Sequence, residues 1–189
     1  ANGCIWLYCG NSLHRIAFHT NGDIESIHSL EIPNPYRYDI TFKDVENEGK
    51  VWIGINGRLY KIGMTVQNEL KETLFAPDMY FTDFIAKENE VWIASDKGLY
   101  RYNKNENIVK QYVHVPGNPH SLSQNFLTCL AITNDKQLLV ASLKGINIYN
   151  PIKDNFERIS DQVSNTGSKL LNSNFINCIT VEGKHIWVG

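Results

Sequence analysis

The stretch VWIASDKGLYRYN, residues 91–103, decides how this chain is read. Two short runs of β-branched and aromatic residues flank Ser95-Asp96-Lys97-Gly98, a slightly longer turn closed by glycine. Together they predict a β-hairpin with Trp92 in its first strand. Forty residues earlier the chain carries a close copy, VWIGINGRLYKIG, residues 51–63. Further copies are IWLYCGNSLHRI from residue 5, LLVASLKGINIY from 138 and a truncated IWVG from 186, so the spacings are 46, 40, 47 and 48. Trp6, Trp52, Trp92 and Trp187 share the second slot, which Leu139 takes once.

A second echo supports the first. SLSQNFLTCLAIT, from residue 121, matches KLLNSNFINCITV, from 169, once one residue is skipped, and it superimposes Phe126 on Phe175 and Cys129 on Cys178. In the third unit four strands are expected: YFTDFIA (80–86), VWIAS (91–95), GLYRY (98–102) and NIVKQYVHV (107–115). Gly10-Asn11 and Asn56-Gly57 suit tight hairpins that need positive φ. No helix is expected. Second strands such as VWIAS and LLVAS lose apolar/polar alternation, the mark of a strand buried on both faces. Four-stranded units at a period of about 40–50 residues predict an all-β chain folded as a β-propeller, rather than a β-sandwich.

The units fall near 1–37, 38–79, 80–120 and 121–172, with a partial unit at 173–189. The chain both opens and closes on a second strand, so about four four-stranded blades are expected, as a piece of a larger, seven-bladed propeller. An unpaired sheet edge and self-association through it are then expected.

Composition narrows the function classes. At 189 residues with 20% charged and 42% hydrophobic side chains the chain is ordinary globular protein, long enough for a sizeable core. A net charge of −2 offers no argument for nucleic acid or an anionic membrane as partner. No apolar run approaches the ~20 residues of a membrane helix. The opening ANGCIWLYCG has no basic stretch of a leader peptide, which is silent on one removed by processing. Cys4 and Cys9 are spaced unlike a zinc or redox pair, and Cys129 and Cys178 lie in apolar segments, so all four read as structural thiols.

Catalytic signatures are missing. His14, His19, His28, His114, His120 and His185 form no close ligand pair, and there is no G-x-S-x-G. Asp44, Glu46 and Glu48, like Glu88 and Glu90, read as solvated loop residues. No catalytic residue, metal site or cofactor is expected. Tryptophans that recur once per unit read as inter-blade core, because a ligand site is built once and a packing layer in every blade. Recognition is expected on the connections between units: 31–38, 75–80, 115–125 and 161–174, which hold five of the six prolines. Tyr36, Arg37, Asp78 and His120 are the candidate saccharide contacts there. Asp39 and Asp83, on first-strand segments, are the acids an enzyme would use near the axis.

The unit written as Asn, apolar, x, x, Ile, then apolar-Trp-Ile-Gly, then Gly-Leu-x-x-Tyr, resembles the two-component regulator propeller repeat. The stretches that carry the resemblance are SLSQNFLTCLAIT with LLVASLKGINIYN, NSNFINCITVEGKHIWVG and VWIASDKGLYRYN. It covers essentially the whole chain and is strongest over 80–189. Before that, Ile55 and Asn56 follow Gly54 where the family prefers Thr, and Arg58 replaces the glycine. The resemblance implies the extracellular, usually periplasmic, sensor region of a hybrid two-component system. Such a region is anchored by a membrane helix, followed by a histidine kinase and often a response regulator, and in gut bacteria commonly senses polysaccharide breakdown products. It implies a non-catalytic segment with an oligosaccharide ligand. A protein-interaction propeller and a propeller enzyme such as a polysaccharide lyase are the alternatives.

Overall fold

The structure is a computed structural model. It describes residues 4–9, 12–31, 40–46, 50–55, 58–62, 71–75, 80–86, 89–160 and 171–189, with backbone pairing alone over 40–75. The described residues contain strands, turns and no helix. No helix among them is long and apolar enough to cross a membrane.

The chain is an all-β propeller built of antiparallel sheets. A three-stranded sheet, β1 (Cys4–Cys9), β2 (Ser12–Phe18) and β3 (Ile24–Glu31), comes first. Three four-stranded sheets follow, each in sequence order. They are β4 (Ile40–Glu46), β5 (Lys50–Ile55), β6 (Arg58–Ile62) and β7 (Lys71–Phe75); β8 (Phe81–Ala86), β9 (Glu90–Ser95), β10 (Gly98–Asn103) and β11 (Ile108–Tyr112); β12 (Leu127–Ile132), β13 (Leu138–Ser142), β14 (Gly145–Asn150) and β15 (Asn155–Ile159). A pair, β16 (Ile179–Glu182) and β17 (His185–Val188), closes the order. The first strands line up side by side: β4 approaches β8, β8 approaches β12, and β12 approaches β16. This stacks the sheets as successive wedges around one hub.

Burial follows position within the wedge. Every residue of β13, and all of β9 after Glu90, is buried, as lost alternation predicts for a strand covered on both faces. The outermost strands β3 and β11 are largely exposed. β11 stops at Tyr112, three residues short of the expected run. There the backbone turns away to side-chain partners: His114 N–H donates to Asn125 Oδ1 at 2.6 Å and Val115 N–H to Ser121 Oγ at 2.9 Å.

The hairpin at 91–103 is tighter than expected. Ser95 pairs directly with Gly98, leaving two central residues, and Ser142 pairs likewise with Gly145. Each serine closes its own turn. Ser95 Oγ donates to the Gly98 carbonyl at 2.9 Å and accepts from Lys97 N–H at 3.0 Å; Ser142 does the same with Gly145 and Lys144 at 3.0 and 3.1 Å. Gly98 and Gly145 hold φ of 115° and 92°, and a Cβ there would lie 2.4 Å from the Tyr112 carbonyl oxygen and 2.3 Å from that of Ile159. Only glycine lets the fourth strand come that close. The tight turns expected at Gly10-Asn11 and Asn56-Gly57 lie outside the described residues.

The core between the β8–β11 and β12–β15 sheets is aromatic. Trp92, 3% exposed, packs with Tyr112, Tyr149 and Phe156 among Leu122, Leu127, Leu130 and Val140. Ring centroids are 4.8 Å apart for Trp92–Tyr149, 5.8 Å for Trp92–Tyr112 and 5.5 Å for Tyr112–Phe156, distances at which such pairs add about 0.5–1.5 kcal/mol each. Arg101, the cross-strand partner of Trp92, lays its guanidinium 5.4 Å from the indole centroid and pairs with Glu90 at 2.7 Å. The same register sets Trp6 opposite Arg15 and Trp52 opposite Lys61.

The expectation of a repeated indole core holds for Trp92 and fails for Trp187. Trp187 is 61% exposed; among the described residues no further sheet pairs with or follows the β16–β17 pair. Trp6 is half-buried, and the Trp52 side chain lies outside the described residues. Cys178, read as a structural thiol in an apolar segment, is exposed, as is Cys9.

Candidate functional site

The connection from β11 to β12 is the member of the predicted recognition face described throughout its length. Its sequence, VPGNPHSLSQN, reads as a loop, yet Leu122 in its middle is fully buried and Ser121 and Ser123 are buried too. A buried loop must find partners for its backbone. Arg158 of β15 serves three of its carbonyls, donating to those of Asn118, Ser121 and Leu122 at 2.9 Å each, and to Ser121 Oγ at 3.0 Å. Asn147 accepts Ser123 N–H at 2.7 Å and donates to the Val140 carbonyl at 3.1 Å. Phe156 N–H donates to the His120 carbonyl at 3.0 Å. The loop is thus clamped over the end of the β12–β15 sheet.

Beside it lies a groove of about 760 Å3, with His114, Pro119 and His120 from the loop, Lys144 from the β13–β14 turn, Arg158 from β15 and Asn174 from the next connection among its walls. His114 Nδ1 lies 2.7 Å from the Leu122 carbonyl. A carbonyl only accepts, so Nδ1 carries the proton, and in the neutral ring Nε2 is left as acceptor. The groove therefore offers cationic donors, the His114 imidazole acceptor, the Glu157 carboxylate and a proline face.

A smaller cleft of about 440 Å3 opens on the opposite face, at the seam between the β8–β11 and β12–β15 sheets. Glu90, Arg101, Asp135, Lys136 and Asn150 line it. Its indole is no platform for a sugar: Trp92 lies buried beneath Arg101, which Glu90 already neutralises. Close by, Asp154 holds the seam. It accepts the Tyr112 hydroxyl at 2.6 Å and the Tyr149 hydroxyl at 2.7 Å and pairs with Lys110. Partial burial opposes ionisation of Asp154, but the hydrogen bonds from Lys110, Tyr112 and Tyr149 outweigh it and hold the carboxyl at about 2. Burial, reinforced by Asp154, pushes the Tyr112 hydroxyl well above its ordinary range.

Of the predicted contacts, His120 lies in the groove, while Tyr36, Arg37 and Asp78 lie outside the described residues, as does Asp39. Asp83 is where the catalytic alternative meets the structure. It is 6% exposed, and its carboxylate accepts Phe84 N–H and, across the wedge boundary, Leu130 N–H, both at 2.8 Å. Cys129 occupies the matching place one sheet on. Asp83 pairs with Ala94 and Cys129 with Ala141, each just past a bulge, and Cys129 Sγ accepts Ile179 N–H at 3.3 Å. Both side chains tie one first strand to the next. Among the described residues no cluster of three His, Cys, Asp or Glu is placed to hold a metal ion.

Sequence reading missed His114, Lys144 and Arg158. His114 stands in no ligand pair in the sequence, and Arg158 in NFERIS carries no local signal. The available hint was Leu122, an apolar residue framed by serines inside a connection.

No model of a known protein family matches the sequence, and no curated protein does either. Solved structures do. The chain is similar to the extracellular domain of BT3049 of B. thetaiotaomicron, described as a hybrid two component system, with 19% identity and a TM-score of 0.64 over 84% of this chain and 22% of that one. It is similar to the extracellular domain of BT4673 of the same organism, described as a one component and elsewhere as a hybrid two component system, with 17% identity and a TM-score of 0.65 over 97% of this chain and 25% of that one. A Bacteroides thetaiotaomicron protein of unknown function matches at 10% identity and a TM-score of 0.58, over 94% of this chain and 53% of that one. The chain spans about a quarter of the length of the two extracellular domains. At these identities the likeness is one of fold.

Proposed function

We propose that the chain is a non-catalytic segment of the extracytoplasmic sensor region of a membrane-anchored hybrid two-component signalling protein, on the periplasmic side. Its ligand is a glycan breakdown product bound on the connection-loop face. The observation that carries the reading is the preformed polar groove beside a loop that Arg158 clamps in one conformation. A loop ordered in advance spends little binding energy on its own immobilisation. The shared fold with extracellular domains of signalling proteins supports the same reading. Commitment of Asp83 to backbone N–H groups argues against Asp83 as a catalytic acid. A signal further requires the ligand to prefer one receptor conformation over another.

Calorimetric titration with a panel of neutral and acidic oligosaccharides tests this. Saturable heat with one class, and no change in that sugar on chromatography, is the expected result. Turnover of the sugar would replace the sensor with a lyase or hydrolase, and no heat with any member would remove the glycan.

A second reading, an interaction propeller, draws on the exposed Phe175, Ile186 and Trp187 and on β1 and β17, whose outer edges pair with no strand among the described residues. It predicts a sedimentation coefficient that rises with concentration, and a constant monomer value would count against it.

A further inference from the structure

The groove on the connection-loop face has a charge imbalance that the seam cleft lacks. In the seam, Arg101 faces Glu90 at 2.7 Å. In the groove, the four hydrogen bonds of Arg158 all end on neutral oxygens, three carbonyls and one hydroxyl. Those bonds run from Nε and one terminal nitrogen and leave its charge uncompensated. Lys144 adds a second cation from an exposed turn, and among the described residues neither cation has a carboxylate in ion-pair contact. Glu157 reaches the rim, but strand alternation sends it to the other face of β15 from Arg158.

We propose that this groove selects an acidic saccharide, one whose carboxylate or sulfate lies against Lys144 in the field of Arg158 while His114 Nε2 accepts a sugar hydroxyl. The inference rests on the glycan-sensing reading and narrows it to a ligand class. Three features favour it over a neutral sugar. Two cations converge on one groove. The acceptor tautomer of His114 is set by the Leu122 carbonyl, which aligns a hydroxyl without adding charge. The walls carry Pro119 and polar side chains with Glu157 as the single acid among the described lining residues, so Lys144 and Arg158 outnumber it and a negative group meets a net positive groove.

The test is calorimetric titration of the 189-residue chain with digalacturonate, the carboxyl-reduced digalactose of the same linkage, and that digalactose bearing one sulfate. Both cations stand near solvent, so the preference for an acidic form is expected to be about tenfold at low salt and to shrink as salt rises. Binding of digalacturonate alone, or of the sulfated sugar alone, supports the site and separates a planar carboxylate from a sulfate. Lys144→Met is expected to abolish the preference and Lys144→Arg to keep it; Lys144 is exposed and its turn is closed by backbone and Ser142, so both variants fold. Lys153→Met, in the turn at the opposite end of the sheet, leaves it unchanged. Digalactose binding as tightly as the acidic forms, or a preference that survives Lys144→Met, overturns the acidic class while leaving a glycan sensor. Silence from every neutral and acidic member of the panel overturns both.

Discussion

Trp92 and Trp187 hold the same slot of the same repeated hairpin, yet one is 3% exposed and the other 61%. Around Trp92 the neighbouring sheet supplies Tyr149, Phe156, Leu130 and Val140. Around Trp187 the described residues supply its hairpin partner β16 and a tilted contact with His185, centroids 6.5 Å apart. The residue is constant and the neighbour is not. Burial in a repeat architecture belongs to the interface between units, and a unit with one interface missing shows its packing surface to water.

The largest expected effect tests this contrast directly. Trp92→Ala removes the centre of the inter-sheet core and is expected to cost about 3–5 kcal/mol. Trp187→Ala is expected to stay within about 0.5 kcal/mol, as an exposed substitution does. Paired urea denaturation curves measure both, and equal losses would mean that the two slots are packed alike.

A smaller effect sharpens the boundary between wedges. Asp83→Ala strands the buried Leu130 N–H and is expected to cost about 1–3 kcal/mol. Cys129→Ala at the matching place should cost less, since a thiol is the weaker acceptor. Thermal melts of the two variants rank them, and the reverse order would deny the shared role.

The smallest effect is electrostatic. The carboxyl of Asp154 sits at about 2 in the folded chain against 3.8 unperturbed, so its contribution is present above roughly pH 4 and is lost as pH falls towards 2. The group is partly exposed, so solvent screening keeps the contribution under about 1 kcal/mol. Asp154→Asn keeps an acceptor for both tyrosines and tolerates the positive φ of 52°, while removing the titration. Wild type should lose stability relative to this variant between pH 5 and about pH 2.5, measured by urea midpoints. Parallel curves would place the ionised Asp154 outside the seam's energetics.

Much of the fold was legible because its signals are local. The hairpin copies, their turn serines and glycines, and the doubly buried second strands all show within a dozen residues of sequence. The candidate site was legible only as a face. His120 stands in the groove, but the residues that shape it, Arg158 and His114, looked like a strand arginine and a loop histidine. Asp83 was read as an acid facing the axis. Its partner Leu130 is 47 residues on, and no local pattern announces that contact.

From its sequence alone the chain was committed to four-stranded antiparallel units, because turn chemistry and β-branched runs act between residues a few positions apart. Tertiary structure decided the rest: which indole is dry, that Asp83 and Cys129 stitch successive first strands, and that Arg158 pins a connection 36 to 40 residues before it. Those outcomes depend on which wedge lies beside which, and on how charges and backbone donors separated along the chain are compensated once they meet.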